Sequence, residues 1–225
     1  MLRVFISGQK YFGAEILELC IKMEGIKVVG VCHPFGDKYI SPITKRWNIP
    51  TVTSGALSAD LMPKNVDLGI TAHSFDYIGK RTRYIPKLGW IGYHPSLLPR
   101  HRGRASIEWA IKMKEAITGG TVFWLNAGID RGDIAYQEFC FIQPDLLSMG
   151  SGKAASRLWR QELQPMGVRL MQRALEDIKK GIIIKDPQDN RLSTWEPSME
   201  VKDIYRPDCL LLNERGKNSA DEWYK

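Results

Sequence analysis

No stretch of this 225-residue sequence stays apolar long enough to cross a bilayer; the longest runs, such as Gly181 to Ile184, last a few residues. The chain enters Leu2-Arg3-Val4-Phe5-Ile6-Ser7-Gly8 directly, without the apolar core and small-residue cleavage site of a signal peptide. Cysteine is sparse. Cys20, Cys32, Cys140 and Cys209 lie far apart and form no C-x-x-C, so unpaired thiols in a reducing cytoplasm are expected. Histidine and cysteine never recur at zinc-like spacing, and no bound metal is expected. Internal repeats and low-complexity segments are absent. There is no G-x-G-x-x-G either. The turn Gly8-Gln9-Lys10-Tyr11-Phe12-Gly13 has Ala14 where a phosphate loop places lysine. Aromatic residues do not alternate with basic ones as a nucleic-acid stacking platform requires, so no nucleic-acid partner and no membrane contact are expected.

What is present reads as one globular body. Hydrophobic residues at 44% and charged residues at 25% match an ordinary folded domain, so a single core of useful size is available. The net charge of +7 would suit an anionic ligand, but the basic residues are dispersed. Only Lys80-Arg81-Thr82-Arg83 and the stretch from Arg100 to Arg104 cluster, and a solvated lysine-rich surface is the simpler reading.

Hydrophobic periodicity predicts strands over Leu2–Gly8, Val28–Cys32, Ile49–Val52, Asp67–Ala72, Gly89–Tyr93, Thr121–Leu125 and Ile134–Ile142. Helices are predicted over Phe12–Met23, Ser41–Trp47 and Arg104–Ala116, with a long one from Lys153 to Lys180 bent near Pro165. Strands alternating with short helices imply an α/β fold, a Rossmann-like doubly wound and mostly parallel sheet with flanking helices. Residues 1–181 form the expected catalytic domain. Pro187, Pro197 and Pro207 interrupt residues 182–225, a short C-terminal extension expected to pack on the body and end in a disordered polar tail.

The informative residues are His94-Pro95-Ser96-Leu97-Leu98-Pro99-Arg100-His101-Arg102-Gly103 and, beyond them, Ala127-Gly128-Ile129-Asp130-Arg131-Gly132-Asp133. Asp130 follows His94 by 36 residues, room for one helix and one strand. A histidine after one strand and a carboxylate on a glycine-bracketed turn are both placed at the mouth of one sheet. Such a pair serves either acid–base chemistry or plain structure, and residue types alone leave both readings open. His33 and His73, each alone at a strand end, read as structural. His101 is open between substrate and solvent.

His94 to Gly103, followed by Gly128-Ile129-Asp130-x-Gly132-Asp133, resembles the signature of the folate-dependent formyltransferase superfamily. The likeness covers residues 1 to about 180. Its motifs are nearest to the hydrolase domain of 10-formyltetrahydrofolate dehydrogenase, in Tyr93–Gly103, Phe123-Trp124 and Gly8-Gln9-x-x-Phe12-Gly13. The resemblance implies 10-formyltetrahydrofolate as co-substrate and a catalytic trio of asparagine, histidine and aspartate. His94 and Asp130 match it, while Gly92 stands where the family has asparagine. It implies a pterin site along Phe75, Asp76, Tyr77 and Ile78, roofed by Leu97 and edged by the backbone of Leu125, Asn126, Ala127, Gly128 and Ile129. Acceptor contacts would come from Lys10, Arg102, Arg104 and the tail around Trp195-Glu196-Pro197. The implied reaction passes a formyl group to a small amine, a nucleotide-linked amino sugar being one candidate. Hydrolysis to formate and a folate-binding module without turnover are the alternatives, in a monomer or homodimer.

Overall fold

A computed structural model describes residues 1–197. The chain runs β1 (Leu2–Gly8), α1 (Lys10–Lys22), β2 (Ile26–His33), α2 (Ile40–Arg46), β3 (Thr51–Thr53), β4 (Leu68–Ala72), α3 (Lys80–Arg83), β5 (Trp90–His94), α4 (Ser106–Lys112), β6 (Ile117–Trp124) and β7 (Ile134–Phe141). It continues through α5 (Pro144–Leu147), α6 (Ser151–Leu158) and α7 (Gln164–Lys179). Seven strands make one sheet in the order β3-β2-β1-β4-β5-β6-β7. Pairs from β3 through β5 are parallel, whereas β6 runs antiparallel to both β5 and β7. The mostly parallel α/β architecture follows, with the strand order reversing about β1.

Alternating side chains divide the core in two. Val4, Ile6, Ile70, Ala72 and Ile91 pack with Phe12, Ile16 and Leu17 of α1 and with Leu170, Met171 and Ala174 of α7. On the opposite face Phe5, Cys32 and Trp90 meet Met62, Val66 and Ile78 from the crossover segments. The rings of Phe5 and Trp90 meet edge to face with centroids 6.0 Å apart. Cys20, Cys32 and Cys140 are free thiols, and burial pushes the first two up to about 12 and Cys140 up to about 11. Cys209 and the expected tail disorder lie outside the described residues.

Two expectations are modified. The long C-terminal helix, expected to bend near Pro165, has its irregularity just before the proline, where a five-residue π segment, Trp159–Leu163, joins α6 to α7. Proline lacks the N–H that an unbroken α ladder would use, and the wider turn absorbs the mismatch just before it. The single-turn helices α3 and α5 have too few residues to create a periodic signal. No helix among the described residues is long and apolar enough to cross a membrane.

Candidate active site

His94 is the last residue of β5, and its imidazole is buried. The loop that follows folds back on it: Nε2 lies 2.7 Å from the carbonyl oxygen of His101. A carbonyl only accepts, so Nε2 carries a proton and donates it, leaving Nδ1 as the other working nitrogen. Nδ1 lies 3.6 Å from Oδ2 of Asp130. That oxygen also accepts the N–H of Gly103 at 2.8 Å, where Gly103 adopts φ +97°.

The two partners do not share one mouth of the sheet, as the sequence suggests. Because β6 runs antiparallel to β5, its C-terminal end lies beside Trp90, whose carbonyl accepts the Leu125 N–H at 2.8 Å. His94 is at the other end of β5. The β6–β7 hairpin loop therefore doubles back across the sheet to deliver Asp130, itself at φ +52°. Gly132 makes the return possible: a Cβ there would fall 1.5 Å from the carbonyl oxygen of Trp124.

The segment after α7 holds both arms of the site. Gln188 Nε2 donates to the carbonyls of Asp130 (2.9 Å) and Gly132 (2.7 Å). Its Oε1 accepts from Nε and Nη2 of Arg102 at 3.1 and 2.6 Å. Thr194 Oγ1 accepts the His101 N–H at 2.8 Å, and the Thr194 carbonyl accepts that of Arg102 at 3.1 Å. The buried His101 ring sits between Glu115 and Glu196, each with a carboxylate oxygen 3.0 Å away but without hydrogen-bond geometry. Sequence reasoning singled out none of Gln188, Thr194 or Glu115. Their partners are too distant along the chain to leave a local pattern.

Gly92 lies on β5 two residues before His94, on the same sheet face. Phe75, Tyr77 and Ile78 line the stretch between β4 and α3, with Phe75 exposed and Ile78 buried. The Asp76 carboxylate faces the ends of β1, β2 and β3 instead. It accepts from the Ser54 hydroxyl at 2.8 Å and the Gly55 N–H at 2.6 Å, with Ser7 and Ser74 nearby at 3.3 and 3.4 Å. Leu97 packs over the strand position of Gly119, and Leu125 over Gly92. Asn126 accepts the Gly128 N–H at 2.8 Å, beside Ala127 and the exposed Ile129. Among acceptor candidates, Lys10 begins α1 with its N–H on Asp37 (2.8 Å), and the Arg104 guanidinium lies 5.1 Å from the Phe75 ring centre. Arg102 is buried against Gln188 and Asn190, and that burial lowers its pKa.

Chemically, a buried imidazole beside a carboxylate on a strained loop can donate to a developing oxyanion and move a proton. Ile78 and the partly buried Leu125 pack on the Trp90 side of the sheet, followed along the chain by the exposed Asn126 and Ala127, and an apolar surface beside polar groups can take a flat heterocycle.

Known proteins resemble this chain in sequence and in fold. A formyl transferase family model matches residues 42–161. Cytosolic 10-formyltetrahydrofolate dehydrogenase of Xenopus laevis is 30% identical over 210 residues, 87% of this chain and 22% of that protein. The chain therefore spans about a fifth of that relative's length. Methionyl-tRNA formyltransferase of Synechococcus sp. (strain JA-3-3Ab) is 30% identical over 98% of this chain and 72% of that protein. In fold, the chain is similar to an N-formyltransferase of Helicobacter canadensis solved with folinic acid and dTDP-3-aminofucose. That match has a TM-score of 0.68 and 19% identity, covering 87% of this chain and 71% of that one. The signature loops, the His94–Asp130 arrangement and the family match lead to one conclusion: this chain belongs to the formyl transferase family.

Proposed function

We propose that this chain cleaves the formyl–N10 bond of 10-formyltetrahydrofolate and passes the formyl group to the amine of a small acceptor. The observation that carries the reading is the convergence of His94 and Asp130 from opposite ends of β5, at 3.6 Å. Attack on the formyl carbon creates a tetrahedral oxyanion. With the Nε2 proton committed to the His101 carbonyl, only the doubly protonated imidazolium has a second N–H, on Nδ1, to donate to it. Asp130 orients the imidazole and takes the proton that the nucleophile loses. The separation exceeds hydrogen-bond reach, as catalytic contacts often do before substrate closes them. The pterin would lie along Phe75, Tyr77 and Ile78 under Leu97, edged by residues 125–129. An amino sugar linked to a nucleotide is an acceptor that an N-formyltransferase of similar fold was solved with, and a cationic rim of Lys10 and Arg104 suits its phosphates.

Hydrolysis to formate is the second reading, favoured by Gly92. A glycine offers no side-chain donor to the oxyanion, and losing one such donor costs on the order of 10²–10³ in rate. The test is incubation with 10-formyltetrahydrofolate, alone and with a panel of amines, following tetrahydrofolate release and formylated product. Amine-dependent release supports transfer; release indifferent to every amine supports hydrolysis; binding without release overturns both.

A further inference from the structure

Position 92 is filled from the neighbouring strand. Thr71 of β4 is the register partner of Gly92 on β5, and the two share the sheet face that carries His94. A Cβ added to Gly92 would lie 2.3 Å from Thr71 Oγ1 and 3.1 Å from Leu125 Cδ1. The threonine hydroxyl therefore occupies the space where a side chain at position 92 would begin. Thr71 is half-buried, and among the described residues its hydroxyl has only a long contact, 3.5 Å, to the Ile91 carbonyl. A bond of that length leaves most of its donor capacity unused.

We propose that the Thr71 hydroxyl is the hydrogen-bond donor that meets the formyl oxygen beside His94, in place of a side chain from position 92. The inference rests on the formyl-transfer reading above. As the nucleophile bonds to the formyl carbon, the carbonyl oxygen gains charge, and a donor on the strand next to His94 stabilises it. The N10–carbon bond then breaks, and the proton lost by the nucleophile replaces the formyl group on N10. No other reagent is needed for transfer to an amine or to water. Gly92 and Thr71 thus form a coupled pair: the glycine makes room and the threonine supplies the polar atom.

The coupling makes an unusual demand on mutants. Gly92→Asn alone collides with Thr71 and slows turnover, whereas Thr71→Ala combined with Gly92→Asn turns over faster than either single variant. Thr71→Val keeps the shape but removes the donor, and lowers kcat by about 10²-fold while KM for 10-formyltetrahydrofolate is little changed. Thr71→Ser, which keeps the hydroxyl, restores most of that loss. The carbonyl stretch of bound carbon-13-labelled formyl donor moves to higher frequency in Thr71→Val, because a hydrogen bond to the oxygen is lost. A folded Thr71→Val protein with wild-type kcat, or an unshifted carbonyl band, overturns the proposal. If His94→Ala loses turnover while Thr71→Val keeps it, this inference alone fails. If His94→Ala also turns over normally, the reading beneath it fails as well.

Discussion

Oδ2 of Asp130 serves two partners at once: the Gly103 N–H at 2.8 Å and, at 3.6 Å, Nδ1 of His94. One carboxylate thus ties the end of the histidine loop to the imidazole that loop encloses. Asp130→Asn retains an acceptor for Gly103 but removes the charge facing His94. Turnover of 10-formyltetrahydrofolate should fall by about 10²–10⁴ with thermal unfolding little changed. Steady-state release of tetrahydrofolate checks this, and near-normal rates would remove Asp130 from the chemistry.

Gln188 joins the two arms of the site through both ends of one amide. Gln188→Glu still accepts from Arg102 but cannot donate to the carbonyls of Asp130 and Gly132. Gln188→Met does neither and leaves the buried Arg102 guanidinium with its bond to Asn190 but without the two it makes to Gln188, at a cost of about 1–3 kcal/mol. The expected pattern is loss of turnover in both variants, with the larger loss of stability in Gln188→Met. Urea unfolding alongside turnover separates the two effects.

Gly69 lies directly under Trp90, and a Cβ on it would sit 2.1 Å from the indole. Trp90 is fully buried and opens β5, so the ring has no room to retreat. Gly69→Ala should destabilise the chain by about 1–3 kcal/mol or more through overpacking. Chemical denaturation measures it. An unchanged midpoint would mean that the sheet tolerates a shift at this pair.

His73 packs edge-on against Phe75 and Trp159, and burial together with the nearby Lys10 pushes its pKa down to about 4 from 6.5. Between these values the unfolded chain takes up a proton that the folded chain refuses. Stability must therefore fall as pH drops from 6.5 towards 4, and this contribution is flat above 6.5. His73→Phe keeps a ring in place and abolishes that slope. Thermal melts of the two proteins across this window should diverge; parallel curves would contradict the assignment.

The strands and larger helices were legible because their apolar residues recur at the spacing of one buried face, as in Val4, Ile6 and α1. The His94 and Asp130 loops were legible through their motif and through glycines that a tight return requires. The path between them was not. A strand pattern such as Thr121–Leu125 says nothing about direction, and the antiparallel course of β6 decides how Asp130 arrives. Local patterns also miss contacts made across the sheet or from the far end of the chain. Thr71 matters through its register with Gly92, and Gln188 through carbonyls 58 and 56 residues away.

The proposed function depends on direct action of His94 on the formyl group of 10-formyltetrahydrofolate. A single-turnover measurement of tetrahydrofolate release, with enzyme in excess and the full amine panel present, tests it in wild type and in His94→Ala. Rapid release is expected from wild type, with a loss of at least about 10²-fold in His94→Ala and folate still bound. Equal rates in the two proteins would contradict it.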